Sequence, residues 1–404
     1  MSQSSFGRGL TRRQSLSAIG LGSAALVVGA AHAQDVAAPA EPYSTVTDPR
    51  RSFGPDAEPN VYFWDPDVIA VDDAFNGLAQ PNAPIKRLWT GALWAEGPAW
   101  NSVGKFLVWS DIPSNHQLRW LEDDGHVSVF RAPSNNSNGN SFDRQGRQLT
   151  CEHLTRRVVR YELDGSVTIL ADRFEGQRFN SPNDVVEHED GSIWFTDPPY
   201  GGQLYEGAPD AAGGPSNPDG LIDNTLGQPP EIGEAVREMG HGVYRIGTDG
   251  TVTRMIEEAQ VQNPNGLCLS PDGSRLYVAS TGKGPGDTGE GGQGEVFAFD
   301  IAADGTASNG TVFTDCMVDG VKCGPDGLRC DVYGNLWASS NAGRAVGYSG
   351  VTCWSPEGAL LGRIRLPEVC GNVCFGGPKR NILFMAASQS LYAVPTATQG
   401  AGPA

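Results

Sequence analysis

The stretches NPNGLCLSPDGSRLYVAS (residues 263–280) and PDGLRCDVYGNLWASS (residues 325–340) read as two copies of one unit. Each opens on a polar residue followed by Gly, at Asn265-Gly266 and Asp326-Gly327. Each then runs through a short apolar strand, turns at Gly273 or Gly334, and returns along a second apolar strand. Short apolar runs divided by a Gly-marked turn predict a tight β-hairpin. Working outward, Glu96-Gly97 runs to LVWSD, Asn138-Gly139 to QLTCEH and Asn183-Asp184 to IWFTD, with a weaker copy from Gly371-Asn372 to ILFMAAS. The register is tight. Asp143, Ser270 and Asp331 stand five residues after Asn138, Asn265 and Asp326, and Gly146, Gly273 and Gly334 stand eight after.

Most copies are followed by a second hairpin, turning at Asp124-Gly125, Asp164-Gly165, Asp249-Gly250, Asp304-Gly305 or Glu357-Gly358. Six units of four short strands predict an all-β chain folded as a six-bladed β-propeller over residues 84–395. The sixth unit has one strand, SLYAV (residues 390–394), after its first hairpin. Its outer strand is expected from Ile85–Trp89, an N-terminal strand closing the ring and protecting the last edge. Residues 34–83, rich in Pro, Ala and Asp, read as a leader that lies along the surface or stays mobile, and residues 396–404 as a C-terminal tail. Two segments interrupt the repeat, Gly201–Gly240 in the third unit and Gly282–Gly294 in the fourth. The first is expected to lie as a lid over the channel face.

Composition agrees: 53 Gly and 28 Pro in 404 residues suit many turns. Residues 1–33 read as an export signal. Arg12-Arg13 precede an apolar run from Ala18 to Ala31, and Ala31-His32-Ala33 ends it with a small-x-small cleavage pattern. The paired arginines suggest the twin-arginine route, hence contact with export machinery, a periplasmic or extracellular destination and no stable membrane insertion after cleavage. The remainder carries 26 basic against 47 acidic residues, net −21. That balance repels nucleic acid and anionic membranes, tolerates neutral sugars and attracts cations. Eight cysteines lack CxxC pairs and metal-like spacing with His, which argues against a zinc site. Cys316, Cys323, Cys330, Cys370 and Cys374 are candidates for pairing, and buried reduced thiols are an equal reading for Cys268 and Cys374.

The innermost strands of a propeller line a channel, so the unit-start residues Glu96, Asn138, Asn183, Asn265, Asp326 and Gly371 should sit at one depth. Two carboxylates and three amides around one axis suit a hard divalent cation, calcium first, and the lack of His and Cys disfavours zinc. AEGPAW, SPNDVV, NPNGLCLSPDG and PDGLRCDVYGNLW resemble, in order and register, motifs of the gluconolactonase/regucalcin-like (senescence marker protein) superfamily. The resemblance covers about residues 85–394. It implies a six-bladed propeller, lactonase activity on a small sugar lactone, and one divalent metal held by Glu96, Asn183, Asn265 and Asp326, with Asp326 also the catalytic base.

The chemistry is consistent with that. A bound cation stabilises the oxyanion formed when a lactone carbonyl is attacked, and a neighbouring carboxylate can take the proton of the attacking water. Asn138, His153 and Asp111 are expected to face the channel mouth as substrate contacts, and Asp184 to orient Asn183. There is no Gly-x-Ser-x-Gly elbow and no phosphate or dinucleotide loop. The alternatives are a metal-dependent phosphotriesterase and a non-catalytic binding propeller stabilised by calcium.

Overall fold

The computed structural model describes residues 51, 53, 64–198, 200, 239–281 and 293–402. Residues 1–33, where an export signal is expected, and most of the two interrupting segments lie outside these residues. Within them the chain forms six four-stranded antiparallel blades. Blade 1 is Ala95–Asn101, Phe106–Asp111, His116–Leu121 and Val127–Arg131; blade 2 is Ser137–Phe142, Gln148–Glu152, Arg157–Tyr161 and Val167–Ala171. Blade 3 is Val185–Glu187, Ile193–Asp197, Gly242–Ile246 and Val252–Glu257; blade 4 is Pro264–Leu269, Arg275–Ser280, Glu295–Ile301 and Ala307–Thr314. Gly324–Cys330, Leu336–Asn341, Gly350–Trp354 and Leu360–Arg365 make blade 5. Blade 6 takes Cys370–Gly376, Ile382–Ala387 and Ser390–Pro395 from one end of the propeller and Lys86–Thr90 from the other.

The closing strand pairs as the sequence requires, Lys86 with Ala393 and Thr90 with Ser390. In blades 1 to 4 the outer hairpins turn at the Asp-Gly signals, and in blade 5 at Glu357-Gly358. Gly165 (φ +86°) and Gly250 (φ +83°) adopt the left-handed backbone that residues with a Cβ avoid. The preceding Asp164 and Asp249 accept the N–H groups of Ser166 and Thr251. Between blades the apolar faces of the strands pack against each other around fully buried Trp100, Trp109, Trp194 and Trp337. Trp100 of blade 1 stacks on Phe384 of blade 6 with centroids 5.9 Å apart.

The leader is more than a surface or mobile segment. Val68–Ala70 adds a fifth strand to the outer edge of blade 5, pairing with Leu360–Arg365. The 3-10 turn Asp73–Gly77 then drives Phe75 fully into the core beside Trp337. Asp67 accepts Arg365 Nε at 3.0 Å, and Asp65 accepts the Ile85 N–H at 2.8 Å and pairs with Arg51. The Pro and Asp content that suggested a loose leader conceals an ionic clasp and two buried aromatic rings, Phe53 and Phe75.

The first strands of blades 1 to 6 touch in sequence, and the sixth returns to the first, so they line the channel. Their approach is close enough to exclude side chains. A Cβ on Gly97 would overlap the Asn138 carbonyl, one on Gly139 the Asn183 carbonyl, and one on Gly266 the Asp326 carbonyl. A Cβ on Gly371 would overlap the Glu96 carboxylate. Gly266→Ala should therefore destabilise the protein by about 3 kcal/mol, the upper end of what overpacking costs. Gly165→Ala, where a Cβ meets nothing within 4 Å, should cost only the conformational penalty of about 1–2 kcal/mol. Denaturant unfolding of the two variants measures the difference; equal costs would mean the inner strands have room to separate.

Candidate active site

The same contacts bring the unit-start residues together. Gly97, Gly139, Gly266 and Gly327 each abut the start of the next blade, and Gly371 abuts Glu96 and closes the circle. Hydroxyl groups fix the start residues from the preceding blade. Ser110 Oγ donates to the Asn138 carbonyl at 2.7 Å, Thr196 Oγ1 to that of Asn265 at 2.6 Å, and Ser339 Oγ to that of Gly371 at 2.8 Å. Glu96, Asn138, Asn183 and Asn265 are buried, and Asp326 is half-buried.

The donor set can be tested for its fit to a cation. Burial pushes the Glu96 carboxyl up to about 8; the Gly97 N–H opposes this, the charge of Asp184 adds to it, and Asn372 and Trp94 also donate to the carboxylate. These hydrogen-bond donors are all neutral, so among the described residues Glu96 is a buried acid without a basic partner. Asn138 Oδ1 is buried with no hydrogen-bond donor, an acceptor whose desolvation is uncompensated. Cys370 feels the charges of both Glu96 and Asp326, which places the two carboxylates around one end of blade 6. Among the described residues no three of His, Cys, Asp and Glu gather as a metal cluster, so a cation here depends on the amides as well as the two acids. Such an all-oxygen set fits calcium or a similar hard ion.

The other candidates divide by role. His153 is buried, with Nε2 3.4 Å from Asn138 Nδ2, so those two side chains share a corner of the channel. Asp111 instead holds backbone: its Oδ1 accepts the N–H groups of Leu93 and Trp94, each at 3.1 Å. Asp197 occupies the matching place in blade 3, accepting the N–H groups of Asn180 at 2.8 Å and Ser181 at 2.7 Å. Both acids pin the segment entering the channel, two and three residues before Glu96 and Asn183. Asp184 is fully buried; it accepts the Val185 N–H at 3.0 Å and pairs with Arg329 Nη1 at 3.2 Å.

Four participants are not evident from the motifs. Asn372 takes the place that Gly holds in four other blades; its carboxamide binds the Glu96 carboxylate and accepts the Val373 N–H at 2.8 Å. The departure from Gly at a crowded position is the available signal. Asn140 Nδ2 donates to the Gly97 carbonyl at 2.8 Å and the Asn138 carbonyl at 3.0 Å, joining blades 1 and 2 beneath the site. Trp94 and Arg329 reach the site by their length, which local spacing does not reveal.

The family model described as the SMP-30/gluconolactonase/LRE-like region matches residues 94–389. A gluconolactonase from Zymomonas mobilis is 29% identical over 355 residues, covering 82% of this chain and 87% of that one. The solved gluconolactonase of Xanthomonas campestris is 33% identical with a TM-score of 0.64, covering 81% of this chain and 94% of its own. The calcium-binding protein regucalcin from Agrobacterium tumefaciens shares the fold at 18% identity, with a TM-score of 0.57 over 78% of this chain and 95% of its own.

Asp197 offers a pH test of the entry clamp. Burial pushes its carboxyl up to about 7, opposed by the N–H groups of Asn180 and Ser181 and by the charge of Arg156. The folded protein thus holds this proton more tightly than the unfolded chain, whose carboxyl titrates near 4, at about 3.9. The stabilising contribution is complete below about pH 4 and is lost as pH rises through about 7. The stability of wild type relative to Asp197→Asn should therefore fall between pH 4 and 7 in denaturant titrations. Parallel pH profiles would show that the carboxylate stays ionised throughout.

Proposed function

The chain belongs to the SMP-30/gluconolactonase/LRE-like family, and on that premise we propose that it is a lactonase, a carboxylic-ester hydrolase that opens a small sugar lactone in its channel. The observation that carries this reading is the convergence of Glu96, Asn183, Asn265 and Asp326 around the channel, with Glu96 buried among neutral donors. These four residues would hold one divalent ion, calcium by the chemistry of the donors. When bound, the ion supplies electrophilic stabilisation of the negative charge that develops on the lactone carbonyl oxygen. Asp326, half-buried and therefore within reach of water, accepts the proton of the attacking water. Glu96, enclosed and hydrogen-bonded, serves as a ligand only.

Asn138 has a free acceptor at Oδ1 and suits a sugar hydroxyl. His153, beside it, either orients that amide or meets the substrate directly. Asp111 contributes at one remove, by fixing the approach to Glu96 through Leu93 and Trp94. Asp184 steadies the strand that carries Asn183. The proposal includes export by the twin-arginine route, from Arg12-Arg13 and the apolar run that follows.

Chelation should abolish hydrolysis of sugar lactones and lower the melting temperature, and calcium should restore both. Full activity in excess chelator would end the metal reading. A chelation-sensitive protein that turned over an aryl phosphotriester faster than any lactone would replace the substrate class. Asp326→Asn should lose at least roughly 100-fold in kcat, the lower range for a general base. Glu96→Gln should act through weakened calcium binding and recover in part at high calcium. Wild-type turnover by Asp326→Asn would remove the base assignment.

A further inference from the structure

Beside the two carboxylates expected in the ligand ring stands a third, and its charge is met from inside the protein. Glu96 and Asp326 occupy unit-start positions, while Asp184 follows Asn183 one residue deeper and is fully buried. Asp184 lies near enough to Glu96 for its charge to bear on that carboxyl. Its compensation comes from two blades away. Arg329 leaves the first strand of blade 5, passes blade 4 with Nη1 3.5 Å from the Leu267 carbonyl, and reaches Asp184 Oδ2 in blade 3 at 3.2 Å. The exposures of the two side chains are 15% and 0%, so the pair is shielded from water. The Leu267 N–H, 3.4 Å from Asp184 Oδ2, completes the junction of three blades.

Arg329 also borders the cavity at the far end of the channel, whose wall includes Trp100, Phe142, Cys268, Cys330 and Cys374. It therefore stands between the ligand ring and that cavity. In the same cavity wall Glu187 accepts the Arg144 N–H at 2.8 Å and lies 3.8 Å from the Arg144 Nε. Arg329 gives Asp184, buried one residue beyond the ligand ring, a basic hydrogen-bond partner.

We propose that Arg329 is the internal counter-cation of the channel, a positioning residue that neutralises Asp184 and so limits the site to one divalent ion. The inference rests on the metal reading above. With Arg329 in place the charge of Asp184 is met inside the protein and is not offered to a cation. Without it a buried carboxylate stands unpaired beside a cation site, a state proteins relieve by recruiting positive charge.

The experiment is calorimetric calcium titration of chelator-treated full-length protein, with circular dichroism confirming the fold. Wild type should bind one ion. Arg329→Met should bind two, or bind the first at least about ten-fold more tightly, because a unit of negative charge is released nearby. Arg329→Lys should restore one-ion binding at wild-type affinity, which a packing role for the guanidinium would not do. Asp184→Asn combined with Arg329→Met removes both charges and should likewise return to one ion. If Arg329→Met folds only with calcium present, the inference is supported. One-ion binding by folded Arg329→Met within three-fold of wild-type affinity would overturn it, as would failure of the double variant to fold. Wild type that binds no calcium would defeat the metal reading itself, a result distinct from equal one-ion binding by wild type and Arg329→Met.

Discussion

Where six strands converge on one axis there is no room for a Cβ between neighbours, and the rest of the molecule is arranged around that crowding. Glycine at positions 97, 139, 266 and 327 lets each strand press its backbone against the next start residue. The start residues are thereby set next to one another around the channel. The two blades that depart from glycine carry Asp184, paired with Arg329, and Asn372, hydrogen-bonded to Glu96. In this fold the steric rule and the chemical site share the same dipeptides. A residue that breaks the rule costs packing, and here each such residue makes buried polar contacts in return.

Crowding alone does not align the ring; hydrogen bonds between blades do. Asn140 is fully buried and makes contacts on both sides of its amide. Its Nδ2 holds Gly97 and Asn138, while its Oδ1 accepts from Gln117, Gln148 and Thr150. Arg131 extends the network by donating to Gln117 and Gln148 and lying over the Tyr161 ring. Networks of this kind are worth most when every member is satisfied, because each unpaired amide in a dry interior costs about 1–3 kcal/mol. Against that background the Oδ1 of Asn138 is informative: a fold that satisfies Asn140 so completely leaves its neighbour's acceptor without a donor among the described residues.

Much of this was legible in the sequence because the repeat couples a turn signal to an alternating strand. The six blades, the Asp-Gly turns and the closing strand at Ile85–Trp89 follow from periods of a few residues, and local backbone physics enforces them. Gathering of the start residues followed from symmetry alone. Contacts made by long side chains across blades were not legible: Arg329 lies far from Asp184 in sequence, and the repeat shows no matched partner for it. Phe75 and the acid clasp of the leader were hidden for a similar reason. Scattered aromatic residues in a polar segment give no periodicity, although burial of Phe53 and Phe75 fixes that segment's place. The cysteines were left open, and all eight are buried free thiols; Cys268 and Cys330 Sγ are 3.7 Å apart. Burial raises thiol pKa values at Cys151, Cys353 and Cys370, which lowers the thiolate fraction available for exchange.

The pairing of Lys86–Thr90 with Ser390–Pro395 also imposes a schedule. The two strands are about 300 residues apart in the chain, as their Ser390–Thr90 hydrogen bond shows. At about 5–20 residues per second a ribosome needs roughly 15–60 s to bring the second into existence after the first. Throughout that interval the closing strand waits with an unpaired edge, and the face of blade 1 that Phe384 will cover lies open at Trp100. Local hairpins form within microseconds, so five blades can assemble while the circle is still broken. The nascent chain is thus an incomplete ring with one adhesive seam for most of its synthesis. The cell must keep that seam from a second copy's seam until the last blade arrives.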